Sequence, residues 1–209
     1  MNKILFSIAV GALIAFNSFG QGTVNFSNSS LDIVSPPDRL VRYDASAASI
    51  NPAYTAGSRV FSNGTAGLRA QLYFGASTAN ESSLVAVSAA PTTFRGSTSA
   101  NVGTWIGGGS RALDGFSSGT VNLQVRVWDI NLASSYEAAT ALGAAYAGLL
   151  GTSLIFQYTI PTDPLAPLSA FNMNAFQGFN IGTVVIPEPS TIVLAGLGAA
   201  ALLIFRRRK

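Results

Sequence analysis

Two stretches of this chain alternate strictly. LRAQLYF (68–74) sets Leu68, Ala70, Leu72 and Phe74 against Arg69, Gln71 and Tyr73. TVNLQVRVWD (120–129) sets Val121, Leu123, Val125 and Val127 against Asn122, Gln124, Arg126 and Trp128. A period of two puts every apolar residue on one side of an extended chain and scatters them around a helix, so both stretches are half-buried strands. Shorter candidates lie at 23–27, 39–43, 58–61, 84–88, 92–95, 101–106, 152–159 and 179–186, punctuated by turn clusters such as SNGTAG and GGGS. Many short strands at this spacing predict one mainly β domain, an antiparallel sandwich or jelly-roll-like fold. A single helix interrupts them, over 134–142 in SSYEAATALGAAYAGLL. Ser134 or Ser135 serves as its cap, Glu137 lies in its first turn, and Gly143 or Gly148 ends it.

The two ends follow other rules. MNKILFSIAVGALIAFNSFGQG places one base, Lys3, before an apolar run from Ile4 to Phe16 and then small residues. That is the order of a secretory signal peptide over 1–20, with cleavage between Gly20 and Gln21; an uncleaved anchor is the alternative. At 185–209 the text is VIPEPSTIVLAGLGAAALLIFRRRK. Thr191 to Phe205 carries no charge and, as a helix, is about 22 Å long, short of a ~30 Å hydrocarbon core. Arg206, Arg207, Arg208 and Lys209 make up part of the difference by snorkelling and hold that end on the cytoplasmic side. The other reading is a buried core helix, but four consecutive cations after a run with no polar face argue against it.

Pro187, Glu188, Pro189 and Ser190, then a short apolar helix, then a terminal arginine cluster: this tripartite tail resembles a PEP-CTERM sorting signal. The resemblance implies an exported protein of a Gram-negative bacterium that makes extracellular polysaccharide. It also implies that an exosortase, a membrane-embedded cysteine protease or transpeptidase, recognises Pro187–Pro189 and processes the chain near them. Thr191–Phe205 would then be a transient inner-membrane anchor and Arg206–Lys209 its stop. Parts of the middle, QGTVNFSN, AQLYFG and LQVRVWDINLASSYEAA, resemble exported proteins with the same tail, a likeness that implies no activity.

Removing the ends changes the charge argument. The chain has twelve bases and nine acids. Five of the bases are Lys3 and the terminal four, while only Glu188 among the acids lies outside 21–186. Seven bases against eight acids leave the exported region, 21–186, slightly acidic, which gives no basis for a nucleic-acid partner. There is no cysteine, so the domain must be stable without disulfides. There is no histidine, so the commonest general base and the commonest zinc ligand are missing. The expected protein is a non-catalytic one at the cell surface or in the extracellular matrix, associated with exopolysaccharide, with no cofactor.

Residual chemistry divides between two readings at each place. Asp129 and Asn131 could offer oxygens to calcium or simply form an Asx turn. Acids such as Asp114, Asp129 and Glu137 could supply a glycosidase pair, though no spacing singles one out. Tyr73, Trp105 and Trp128 could stack on sugar rings as a carbohydrate-binding module, or pack inside the domain. Asn25, Asn28, Asn63 and Asn80 begin Asn-x-Ser/Thr triplets, glycosylation acceptors in principle or chance matches. WIGGGS lacks the lysine and helix of a phosphate loop.

Overall fold

The computed structural model describes residues 22–29, 38–62, 67–107, 109–163 and 165–183. The signal peptide, its Gly20–Gln21 cleavage site and the whole sorting tail lie outside these residues. In chain order the strands are β1 (Gly22–Asn25), β2 (Arg42–Tyr43), β3 (Leu68–Ala76), β4 (Val85–Ala86), β5 (Thr92–Thr93), β6 (Ser110–Leu113) and β7 (Gly119–Asp129). The helix α1 (Tyr136–Leu142) follows, then β8 (Leu149–Thr152), β9 (Phe156–Ile160) and β10 (Asn180–Thr183). Among the described residues the protein is mainly β, with two sheets and one α-helix.

The two alternating stretches are the centre of the larger sheet. β3 and β7 pair antiparallel from Leu68 opposite Asp129 to Ala76 opposite Val121. β4 and β5 share the far edge of β3, and β8 and β9 share the far edge of β7. β10 extends the sheet from β8, and β2 closes it. The β2–β10 pair is parallel, which corrects the expectation of a purely antiparallel fold. The two strands are far apart in the chain, so no hairpin dictates their direction.

The apolar face of β3 and β7 meets the small second sheet, the β1–β6 ribbon. Leu68, Leu72, Leu123, Val125 and Val127 join Val24, Phe26 and Leu113 in one core. Trp105 lies inside it, stacked on Phe26 at 4.8 Å and edge-on to Phe94 and Phe176. The Tyr158 hydroxyl ties the ribbon down by donating to the Thr23 carbonyl at 2.7 Å. Each fully buried leucine or valine here stabilises the fold by roughly 1.5–3 kcal/mol.

Several short strands differ from expectation. The 152–159 candidate is two strands, because Gln124 and Val125 of β7 are opposed by Ser153, Leu154 and Ile155. This one-residue bulge is held by Ser153, whose Oγ accepts the Val125 N–H at 2.9 Å. The 58–61 and 101–106 stretches reduce to single bridges, Arg42 with Arg59 and Phe94 with Trp105. β6 falls between the candidate strands, in a stretch without strict alternation. The helix matches its signals: the Ser135 side chain accepts from Ala138, Glu137 is in the first turn, and Gly143 ends it at φ 53°.

Candidate functional site

The polar side of β3 and β7 is largely covered, with Arg69 and Gln71 half-buried and Asn122 buried. Arg126, Gln124, Trp128 and Tyr73 are all buried. Alternation separates the faces of a strand pair but does not say what covers either one. Here α1 and the 3₁₀ turn Glu81–Ser83 lie over the polar face. Trp128 packs with Ala133, Ala139 and Tyr146, and its indole N–H donates to the Ala133 carbonyl.

Arg126 organises the rest. Its Nε donates to Gln124 Oε1 at 2.9 Å, Nη1 to Glu137 Oε1 at 3.1 Å, and Nη2 to the Glu81 carbonyl at 2.6 Å. The guanidinium lies 4.0 Å from the Tyr73 ring centre and 5.3 Å from that of Tyr136. Gln124 Nε2 donates to Glu81 Oε1 and to the Ser153 carbonyl, both at 3.1 Å, so the bulge feeds the same network. The Tyr73 hydroxyl donates to Glu137 Oε2 at 3.1 Å. Burial pushes the Tyr73 hydroxyl well above the ordinary tyrosine range, and the neighbouring Glu137 carboxylate adds to it. One sheet strand is thereby clamped to the helix and to a turn 45 residues earlier.

This arrangement decides most of the sequence candidates. Tyr73, Trp105 and Trp128 are at most 2% exposed, so the sugar-stacking reading of these three is corrected. Among the described residues every aromatic side chain is buried or half-buried. Glu137 has both oxygens engaged by Tyr73 and Arg126. Asp129 Oδ1 accepts the Asn131 backbone N–H at 3.0 Å, the Asx turn. Asp44 caps the 3₁₀ turn Ala45–Ser49, and Asp163 Oδ1 accepts the Leu165 N–H. Asp114 is exposed in the turn after β6. Among the described residues no three of His, Cys, Asp or Glu converge to hold a metal ion.

Of the four asparagine triplets, Asn63 lies outside the described residues. Asn25 donates to Asn172, and Asn80 caps the Glu81–Ser83 turn. Asn28 is a buried hub. Its Nδ2 donates to the Arg39 and Gly103 carbonyls at 3.0 Å, and its Oδ1 accepts the Trp105 N–H at 3.1 Å. A glycan there would take one of the two Nδ2 hydrogens, breaking at least one of these bonds, on a side chain that is 4% exposed. Nothing local in the sequence marks that role, since two of the partners lie more than 70 positions away.

One shallow cleft of about 170 Å³ is lined by Asp38, Leu40, Arg42, Gly178, Phe179 and Asn180. Arg42 holds Asp38 across it at 2.8 Å. Partial burial raises the Asp38 pKa, but the Leu40 N–H and the Arg42 guanidinium outweigh that and leave it below the ordinary value. Both Asp38 oxygens are thus engaged, Oδ1 by the Leu40 N–H and Oδ2 by the Arg42 guanidinium.

The residues expected to carry function, Pro187, Glu188, Pro189, Ser190, Arg206, Arg207, Arg208 and Lys209, lie outside the described part, as does Gln21. Among the described residues no helix is long and apolar enough to cross a membrane. Neither the comparison with curated proteins nor that with solved structures finds a match. The comparison with protein-family models finds the PEP-CTERM protein-sorting motif at residues 185–209. The chain thus carries a PEP-CTERM protein-sorting motif, the mark of an exosortase-targeted exported protein.

Proposed function

We propose that this is a non-catalytic surface or matrix protein, exported as one domain over 21–186 and associated with extracellular polysaccharide. In this reading the two sheets form a sandwich-like body, and residues 1–20 are removed on export. Residues 187–209 hold the precursor in the inner membrane until exosortase processes it. The observation that carries the reading is the sorting motif at 185–209. The engaged carboxylates and the buried aromatics support a structural role over a hydrolase or an aromatic sugar platform.

Glu188 lies between two prolines. Proline fixes its own φ and disfavours helix in the residue before it, so the carboxylate is presented on extended chain that an enzyme can read without unwinding a helix. Mass spectrometry of protein from a cell with the matching exosortase tests the proposal, and a mature form that still ends in FRRRK defeats it. In pulse-chase, Glu188→Ala should insert normally but fail to mature, whereas loss of Arg206–Lys209 should let the precursor slip.

A further inference from the structure

The last described strand leaves the domain at one definite end. β10 runs to Thr183, beside the Ala45–Ser49 turn, whose Ser46 Oγ accepts the Thr183 N–H at 2.8 Å. Pairing carries that end across the sheet. Thr183 is opposite Leu149, Gly151 is opposite Val127, and Asp129 is opposite Leu68. The exit end is therefore built from the 45–57 loop, the start of β3, the 129–132 turn and the start of β8. Burial raises the Tyr54 hydroxyl of the loop above the ordinary tyrosine value, Asn51 lowers it, and the Asp129 charge raises it further.

This end has an unusual surface. Residues 45–57, ASAASINPAYTAG, contain no charged side chain. Ile50 is 42% exposed, Ile130 36% and Leu132 47%. Its two carboxylates, Asp44 and Asp129, are both half-buried and accept backbone N–H groups. The opposite end, at the 77–83 and 114–118 connections, is polar and exposes Glu81 and Asp114. Leu165 and Leu168 are more exposed still, but they lie on the connection that starts from that opposite end, after Ile160.

Only residues 184–190 separate Thr183 from the uncharged run that begins at Thr191. Fully extended, seven residues reach at most about 25 Å, and a headgroup layer takes up about 5–8 Å of that. The domain is thus tethered with its exit end nearest the bilayer, where a short tether makes even a weak contact effectively intramolecular.

We infer that the exit end, through Ile50, Ile130 and Leu132, rests on the outer leaflet of the membrane that holds the tail. The partner is the lipid surface itself. The docked domain keeps Glu188 at the interface and limits how far the sorting motif can swing away from it. The inference rests on the tail being a membrane segment, and the test separates the two.

The chain has no cysteine, so Ile50→Cys, Ser117→Cys and Leu165→Cys each give a single labelling site. Each variant, made without residues 1–20 so that the sorting tail is its remaining long apolar segment and checked for native circular dichroism, is labelled with an environment-sensitive nitrobenzoxadiazole probe. It is then reconstituted into phosphatidylethanolamine–phosphatidylglycerol vesicles with or without headgroup-proximal spin-labelled lipid. Flotation with the vesicles reports the tail. Among floating samples, the probe at 50 should shift to the blue and lose emission to the spin label, while probes at 117 and 165 should not. Equal emission at 50 and 117 overturns the docking inference alone. So does quenching at 165 in place of 50, or quenching at 50 only when exosortase is added. Failure to float overturns the membrane reading of the tail beneath it.

Discussion

Replacing Arg126 with methionine tests whether the covered polar face is a clamp or a decoration. Arg126 is 6% exposed and loses three hydrogen bonds in the variant. Their acceptors are not equivalent. The Glu137 side chain is 57% exposed and the Glu81 turn is exposed, so water replaces the donor at both. Gln124 Oε1 belongs to a residue only 2% exposed and is left without its donor. That unmade bond costs about 1–3 kcal/mol, and the lost stacking on the Tyr73 ring adds about 1–2 kcal/mol. Relief of guanidinium desolvation and packing of the methionine stem offset part of this. The net expectation is a loss of about 2–4 kcal/mol, where an exposed ion pair alone would give under about 1 kcal/mol. In a protein of this size it corresponds to a melting temperature lower by about 4–16 °C. Urea denaturation of residues 21–186 measures it, with Arg126→Lys falling between wild type and methionine because it keeps the charge but not the fork. A double-mutant cycle with Glu137→Gln should show coupling. A loss below about 0.5 kcal/mol for Arg126→Met, within ordinary surface scatter, would refute the reasoning.

Three other outcomes follow from single sites. Asn28→Ala leaves the buried Trp105 N–H unpaired, while the Gly103 carbonyl keeps the Val41 N–H, and should cost about 1–3 kcal/mol by denaturant melting. Gly182→Ala places a Cβ on the Asp44 carboxylate that caps the Ala45–Ser49 turn; overpacking there should cost about 1–3 kcal/mol or more, read as a lower melting temperature. All six tyrosines are raised by burial, Tyr146 and Tyr158 to about 12. Their protonated forms favour the folded state, so this stability is full below the unfolded value near pH 10 and is lost as pH rises through the folded values. Phenolate absorbance should therefore appear late and together with unfolding; normal titration of a fully folded domain would contradict the burial.

Local chemistry sufficed for some of this protein. A period of two places β3 and β7 whatever surrounds them, because side-chain alternation is a property of the extended backbone. Ser135, Glu137 and Gly143 delimit α1 for the same reason: a cap acts on backbone groups three or four residues away. The motif at 185–209 is likewise contiguous text. Other features exist only once distant segments meet. Whether Tyr73, Arg126 and Trp128 face water depends on the Glu81–Ser83 turn and α1, which the chain brings over the sheet from either side in sequence. The break between β8 and β9 arises from register against β7, and no residue in 152–159 dictates register by itself. Asn28 is a hub because Arg39, Gly103 and Trp105 converge on it, and a buried amide looks like any other asparagine until its partners arrive. Alternation divides a strand into two faces by geometry; which face is covered is settled by packing, and packing is a property of the whole chain.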